Sequence, residues 1–287
     1  MKSCFLCHSS NLTFREVKDG LTIIQCQNCD LQSLDTKTDL QKLQKIYNSP
    51  DYFKFWGKLN SKNIKNIEKH KKITFKATLK KISRYKSEGR LLEIGCASGS
   101  FLEEAQSIGF DVYGVECFAK FANIARKKVK GNITAGMFEK TSYQQNFFDV
   151  VVMYDSLEHV KDPLIVLSRI ARILKKDGLL VIATPNTQSL SNCLMRGNWT
   201  HYKPEHLFYF SPKSIKLLLV KFDFQPLLIE NALKALSFSY IYYQLHTFPT
   251  FMLTRIVSTI YHLLPGELHT KPVFLSTGEM LIIAKKI

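Results

Sequence analysis

The hydrophobic pattern of this chain changes character along its length. Between residues 90 and 185, short apolar runs alternate with segments of helical period. Arg90–Ile94, Asp111–Val115, Phe147–Tyr154 and Leu179–Ala183 are the runs, and each reads as a strand. The unbroken apolar stretch within Phe147–Tyr154 fits a strand covered on both faces of a parallel sheet. Helices are expected over Ser100–Ile108, stopped by Gly109, and over Ala119–Val129. A third begins at Asp162-Pro163, where Asp caps and Pro takes the first helical position. Leu164, Leu167, Ile170, Ala171 and Leu174 form its buried stripe, and Lys175-Lys176 complement its negative end. The alternation predicts an α/β domain with right-handed crossovers.

Outside this stretch the pattern is different. Lys58, Lys62, Lys65, Lys69, Lys72, Lys76 and Lys80 recur at helical spacing on one side of a segment running from Lys58 to Lys86. Ile64, Ile67, Phe75, Leu79 and Ile82 supply its apolar positions, so the lysines read as a solvated face. Before it lies an aromatic cluster, Tyr47, Tyr52, Phe53, Phe55 and Trp56. Beyond Pro185 the regularity weakens. Residues 186–210 and 232–277 read as insertions, Pro212–Lys221 as a helix and Glu279–Ala284 as a closing strand. The expected division is 1–35, a connector and lysine-rich helix over 36–87, and a main domain over 88–287.

Residues 1–35 are organised by cysteine. Cys4-Phe-Leu-Cys7 and Cys26-Gln-Asn-Cys29 give C-x2-C, eighteen residues, C-x2-C. Two such knuckles place four thiolates around one ion, the pattern of a closed structural Zn²⁺ site, so a zinc ribbon is expected. Disulfide pairing is the rival. Met1-Lys2-Ser3-Cys4 lacks an apolar leader, which favours a reducing, cytoplasmic setting. Cys96, Cys117 and Cys193 read as packed thiols.

Charge changes the picture less than its size suggests. The net charge is +16, carried mostly by Lys spread over surface-like positions. Nucleic acid, anionic lipid or a phosphorylated substrate are the partners such a balance admits. No run of eighteen uncharged apolar residues occurs, so no transmembrane helix is expected.

The chemistry concentrates after the first long-domain strand, in Glu93-Ile-Gly95-Cys-Ala97-Ser-Gly99. Ligands of open α/β sheets sit beyond the carboxyl ends of the strands, and small residues there let the backbone come close. A dinucleotide fingerprint needs Gly at 95, 97 and 100; Ala97 and Ser100 stand there instead, and no P-loop is present. Glu116 ends the next strand, seventeen residues after Gly99, where a carboxylate can accept both hydroxyls of a ribose. An adenosine-type ligand is the expectation.

Further stretches complete a resemblance. They are Leu91–Gly99, Gly114-Val-Glu116, Phe148–Val152, Ser156-Leu-Glu-His-Val-Lys-Asp-Pro163, Leu174–Leu180 and Thr184-Pro-Asn186. With them, residues 88–230 resemble class I S-adenosylmethionine-dependent methyltransferases, particularly those similar to the ubiquinone-biosynthesis O-methyltransferase. The resemblance implies a Rossmann-like seven-stranded sheet whose last strand is antiparallel, with helices on both faces. It implies S-adenosylmethionine as cofactor, with Glu93, Gly95, Ala97 and Gly99 near its amino-acid part. Glu116 would lie on its ribose, Met137 and Phe138 near its adenine, and Asp155 at the mouth of the same pocket. Ala97 replaces a usual glycine, and Asp177 stands where Gly is common.

His159 follows the fourth strand, and His206 lies in Pro204-Glu-His-Leu207, which resembles the acceptor side of this group. His206 is the first candidate for a general base and His159 the second, with Glu205 as a partner and Trp199, His201 and Tyr202 as an aromatic wall. Tyr154-Asp-Ser-Leu157 is not the Asn/Asp-Pro-Pro-aromatic motif of base N-methyltransferases, and no Pro-Cys nucleophile motif occurs. Oxygen is therefore the expected nucleophile and activated carbon the second. The zinc module resembles that of some sugar methyltransferases, which by analogy points to a carbohydrate-type, phosphorylated acceptor such as a nucleotide sugar. Two other readings remain open here: a zinc-ribbon protein that binds or modifies nucleic acid, and peripheral membrane contact through residues 232–264.

Overall fold

The computed structural model describes residues 3–18, 20–35, 61–247 and 251–287. The aromatic cluster Tyr47–Trp56 and Lys58 lie outside the described residues. The chain opens with three antiparallel strands, β1 (Leu12–Lys18), β2 (Leu21–Cys26) and β3 (Gln32–Leu34). Helix α1 (Ser61–Ile82) follows, and then the main domain. There β4 (Gly89–Ile94), α2 (Ser100–Ser107), β5 (Phe110–Glu116), α3 (Ala119–Lys128) and β6 (Asn132–Ala135) build the first half. The second half begins with β7 (Phe148–Tyr154), α4 (Pro163–Ile173) and β8 (Leu174–Pro185). It continues through α5 (Leu190–Met195), the short β9 (Phe208–Tyr209) and α6 (Pro212–Val220). The closing elements are β10 (Phe224–Ser237), α7 (Phe238–Thr247), α8 (Phe251–Leu263) and β11 (Pro272–Lys286).

Seven strands form one sheet in the order β10-β11-β8-β7-β4-β5-β6. β11 runs antiparallel to both its neighbours, while β4 to β8 pair in parallel. Strand periodicity sends neighbouring residues to opposite faces. Leu92, Val151, Met153, Leu180 and Ile182 meet Val166, Leu167 and Ile170 of α4 and Leu218 of α6. Leu91, Val150, Val152 and Val181 meet Leu79 and Ile82 of α1 and Phe101 and Leu102 of α2. Covering on both faces explains why these strands read as continuous apolar runs. Asp162 caps α4 as expected, accepting from the N–H groups of Leu164 and Ile165.

Several boundaries differ from the sequence expectation. α4 stops at Ile173, and Leu174 opens β8 because Phe148 already pairs with it across the sheet. β10 and β11 pair as far as Ser237 and Pro272, so the irregular part between them is a helical pair rather than the whole of 232–277. Cys96 is packed, but Cys117 and Cys193 are exposed. A second sheet joins β1-β2-β3 to β9, a strand from the 186–210 insertion, through Gln32↔Tyr209 and Ser33↔Phe208. No described helix is long and apolar enough to cross a membrane.

Asp149 ties three central strands at the edge remote from the glycine turn. It accepts from the Arg90 N–H at 2.9 Å and from Lys175 Nζ at 2.8 and 2.9 Å. Gly89 makes room, since a Cβ there would come within 2.6 Å of the Asp149 carboxyl. Burial alone would raise this carboxyl's pKa, but Lys175 and the Arg90 amide more than reverse that and hold it below its usual value. A depressed carboxyl contributes stability above its unfolded pKa of about 4 and loses it as pH falls through the folded value. Asp149→Asn should cost about 1–3 kcal/mol at neutral pH by thermal or denaturant unfolding. Below about pH 4 the wild type should lose stability faster than the variant, so that the two curves converge.

Candidate functional site

The carboxyl ends of β4, β5 and β7 meet where the strand order reverses, the place for a ligand crevice in open sheets. After β4 the chain bends sharply, with Gly95, Ala97 and Gly99 all at positive φ (79°, 44° and 75°). Ala97 pays about 1–2 kcal/mol for a left-handed conformation that glycine adopts freely. Glu116 compensates: its Oε2 accepts from the Ala97 N–H at 2.8 Å, and its Oε1 from the Phe118 N–H at 2.9 Å. Gly99 is required by packing, because a Cβ there would stand 3.0 Å from Ala125 Cβ.

This bend fits a sulfonium nucleoside better than a pyrophosphate. Two buried carboxylates, Glu93 and Glu116, flank it, and they would repel phosphate. Glu93 Oε2 and Ser156 Oγ are buried without a hydrogen-bond partner among the described residues. Ser156 lies against Gly95, where a Cβ would come within 3.0 Å of Ser156 Cβ. Burial, and then the neighbouring Glu116, raise the Glu93 pKa well above the carboxylate range. A cationic ligand would reverse that. A carboxylate has about four acceptor positions, so Glu116 can hold the turn and still receive hydroxyls. Gly136 N–H bonds the Glu116 carbonyl at 2.8 Å and brings Met137 near, where it is exposed. Phe138 turns into the core instead, facing the Arg169 guanidinium at 5.7 Å.

Beyond β7, a 3-10 turn over Leu157–His159 meets the segment carrying His206. The His159 and His206 rings lie edge to face with centroids 4.6 Å apart. His159 Nδ1 is 3.1 Å from the Glu205 carbonyl, so Glu205 positions His159 through its backbone. His206 is buried, and its Nδ1 has no partner among the described residues. Glu158 is buried beside them and accepts from Thr184 Oγ1 at 3.0 Å. Donor atoms of Glu158, His159 and His206 all lie within 4.8 Å of one another, a set that could also ligate a divalent cation. Burial lowers the His159 pKa to about 4 and that of His206 well below its usual value. Burial, with Asp155 adding to it, pushes Glu158 up to about 8. Both imidazoles are therefore neutral at pH 7.

Sequence reasoning missed a cation at the same mouth. Lys234 of β10 donates to Asp155 Oδ2 at 2.9 Å and to Glu279 Oε1 at 2.7 Å. Burial would lower its pKa, but Asp155 and Glu279 raise it well above the lysine range. Asp155, at φ 51°, thus faces a lysine. The one available signal was a lone lysine within the apolar run Ala232–Leu236. His201 joins this group, with Nε2 2.9 Å from the Thr277 carbonyl and 3.7 Å from Glu279 Oε1.

The four cysteines of the first segment come together as expected. Their Sγ atoms lie within 4.8 Å of one another, with Cys4–Cys29 at 3.6 Å and Cys7–Cys26 at 3.5 Å. Disulfide sulfurs stand about 2 Å apart, whereas a Zn²⁺ tetrahedron with bonds of about 2.3 Å has edges of about 3.8 Å. The cluster therefore fits the ion. Its strands continue into the acceptor side: Leu34 N–H bonds the Leu207 carbonyl at 3.1 Å, and Leu207 N–H bonds the Glu158 carbonyl at 2.8 Å. Tyr202 OH donates to Gln32 Oε1 at 2.8 Å, and Trp199, Tyr202 and Tyr209 pack on Leu21, Ile23 and Leu34. Trp199 and Tyr202 thus join the cysteine module to the His206 segment, where the sequence suggested an acceptor wall.

Known proteins share this arrangement. The family described as a methyltransferase domain matches residues 68–229. The ubiquinone biosynthesis O-methyltransferase of Cereibacter sphaeroides is 30% identical over 117 residues, 38% of this chain and 47% of that protein. That of Bradyrhizobium sp. is 35% identical over 104 residues, 34% of this chain and 40% of that protein. The chain spans about half the length of the curated relatives it matches. A Thermotoga maritima S-adenosylmethionine-dependent methyltransferase superposes with a TM-score of 0.55 at 19% identity, covering 85% of this chain and 99% of that one. Synechocystis magnesium protoporphyrin IX methyltransferase, solved with bound S-adenosylhomocysteine, gives 0.56 at 13% identity, covering 87% and 100%. At these identities the structural likeness is one of fold, and the sequence match supplies the family. With its strand order and its acid-flanked glycine bend, the chain belongs to the methyltransferase-domain family and has the class I S-adenosylmethionine-dependent fold.

Proposed function

We propose that this chain transfers the methyl group of S-adenosylmethionine to an oxygen of a small, carbohydrate-type acceptor. The observation that carries the reading is the pair of buried acids at the β4–β5 bend, with one unpartnered carboxylate oxygen, together with a neutral His159–His206 pair beyond β7. The bound cofactor supplies an electrophilic methyl carbon on a positively charged sulfur. Glu93 offers negative charge to the cationic part of the ligand, and Glu116 offers acceptors to its ribose. His206 would accept the proton of the acceptor hydroxyl and leave an oxygen able to take the methyl group that the cofactor would supply. Glu158 and His159 border the imidazolium that results. Alignment supplies most of the rate in such an in-line displacement. The carbohydrate class rests on analogy with zinc-bearing sugar methyltransferases; Lys203 and Lys234 at the mouth are compatible with a phosphorylated acceptor.

We infer that Cys4, Cys7, Cys26 and Cys29 hold one structural Zn²⁺, so that the His206 segment is supported by a metal knot through β3 and β9.

Titration calorimetry with S-adenosylhomocysteine should show Glu116→Ala weakening binding by about 10–100-fold, with Glu116→Gln milder. Unchanged affinity in Glu116→Ala would remove the ribose assignment. A radiolabelled-methyl screen of metabolites should identify the acceptor. With it, His206→Ala should lower turnover about 10²–10⁴-fold and leave S-adenosylhomocysteine affinity intact. Since burial lowers the pKa of both imidazoles, the acid limb of turnover should fall below the usual histidine range. Elemental analysis should find about one zinc per chain. Cys26→Ser should release it and lower the melting temperature, while S-adenosylhomocysteine binding at the β4–β5 bend persists.

A further inference from the structure

The reaction leaves one element unused, the helical pair at the far end of β10 and β11. The sheet ends at Glu279↔Pro185, but β10 and β11 continue together from Leu233↔Ser276 to Ser237↔Pro272. This two-stranded arm carries α7 and α8.

The polarity of α8 is inverted for a helix facing water. Its face toward α7 is polar and hydrogen-bonded. Thr254 Oγ1 donates to the Leu245 carbonyl at 3.2 Å, and Ser258 Oγ lies 3.2 Å from His246 Nε2. Tyr261, one turn further on, stacks on Tyr242 with centroids 4.1 Å apart. Ile256, Ile260 and Leu263 share the same i, i+4, i+7 spacing on another face, and they are 53%, 41% and 79% exposed. A water-facing helix turns its apolar stripe inward and its polar residues outward. On the neighbouring arm Val273, Phe274 and Leu275 are exposed as well.

The charge pattern selects among partners. No Asp or Glu occurs between Glu230 and Glu267, while Arg255 lies on α8, and Glu267 and Lys271 follow it. The whole chain carries +16. A second copy would bring Arg255 and the same basic balance against itself. Anionic phospholipid meets both demands, apolar acyl chains for the stripe and phosphates for the cations. At thirteen residues α8 is about 20 Å long, short of a hydrocarbon core of about 30 Å, so it would lie in the plane of the interface.

We propose that α8 is a membrane-surface docking helix, its Ile256–Ile260–Leu263 stripe sinking into one leaflet of an anionic bilayer. The arm is rooted at Lys234 and Thr277, which contact Asp155 and His201, so docking sets the acceptor mouth beside the lipid surface.

Co-sedimentation of the full chain with phosphatidylcholine vesicles, with and without phosphatidylglycerol, tests this. Binding to the phosphatidylglycerol vesicles is expected, weakening as salt rises. The triple variant Ile256→Asp, Ile260→Asp, Leu263→Asp should bind them at least about tenfold more weakly, with unchanged melting temperature and S-adenosylhomocysteine affinity. The proposal falls if neither vesicle binds the wild type, if the variant binds as the wild type does, or if phosphatidylcholine alone binds equally well. It also falls if sedimentation equilibrium shows a wild-type dimer that the variant abolishes, which would assign the stripe to a second copy.

Discussion

One buried carboxylate ties the tips of the two strands on which the cofactor crevice depends. Glu116 ends β5 and reaches across to the Ala97 amide in the bend after β4, while its other oxygen caps the exit toward α3 at Phe118. Without that bond, a residue with a side chain would have no reason to stay in a left-handed conformation at the centre of the bend. The acid suited to holding a ribose is thus also the acid that shapes the wall opposite it. On the proposed reading, ligand recognition and local backbone geometry share one group, so a change at this residue reports on both.

The central sheet was legible because it is covered on both faces. Continuous apolar runs at Val150–Met153 and Leu179–Ala183 have no other easy reading, and Asp162-Pro163 marks a helix start by its own chemistry. The edge was not legible. β10 contains Pro226, Glu230, Asn231 and Lys234, and its register slips twice against β11, so period-two alternation is lost. β9 is two residues long and gains its identity only from β3, a partner far away in sequence. Glu93 and Glu116 could be placed at the bend because their positions follow from strand ends. The triad of Glu158, His159 and His206 could be named but not assembled, since only the fold brings residue 206 against residue 159. Lys234 was invisible because its two carboxylate partners lie 79 and 45 residues away.

The surroundings of His159, His206 and Lys234 are built from separate pieces held against the sheet. The cysteine module lends a strand, α4 and β8 supply the floor, and the arm of β10 and β11 contributes Lys234. Two neutral imidazoles and a lysine shared by two acids stand within this frame. Burial sets the first, and ion pairing overrides burial in the second. The same low-polarity surroundings therefore keep one group uncharged and another charged, according to whether acids face it.

The pairing of β3 with β9 has a consequence for the order of events during synthesis. Ile23 and Leu34 leave the ribosome well before the aromatic residues that cover them, which emerge more than 160 residues later. Until then the apolar side of these strands stays wet, and their own pairing and the four-thiol cluster must hold them in register. How well that small unit waits would then govern how much of the newly made chain ever reaches its finished form.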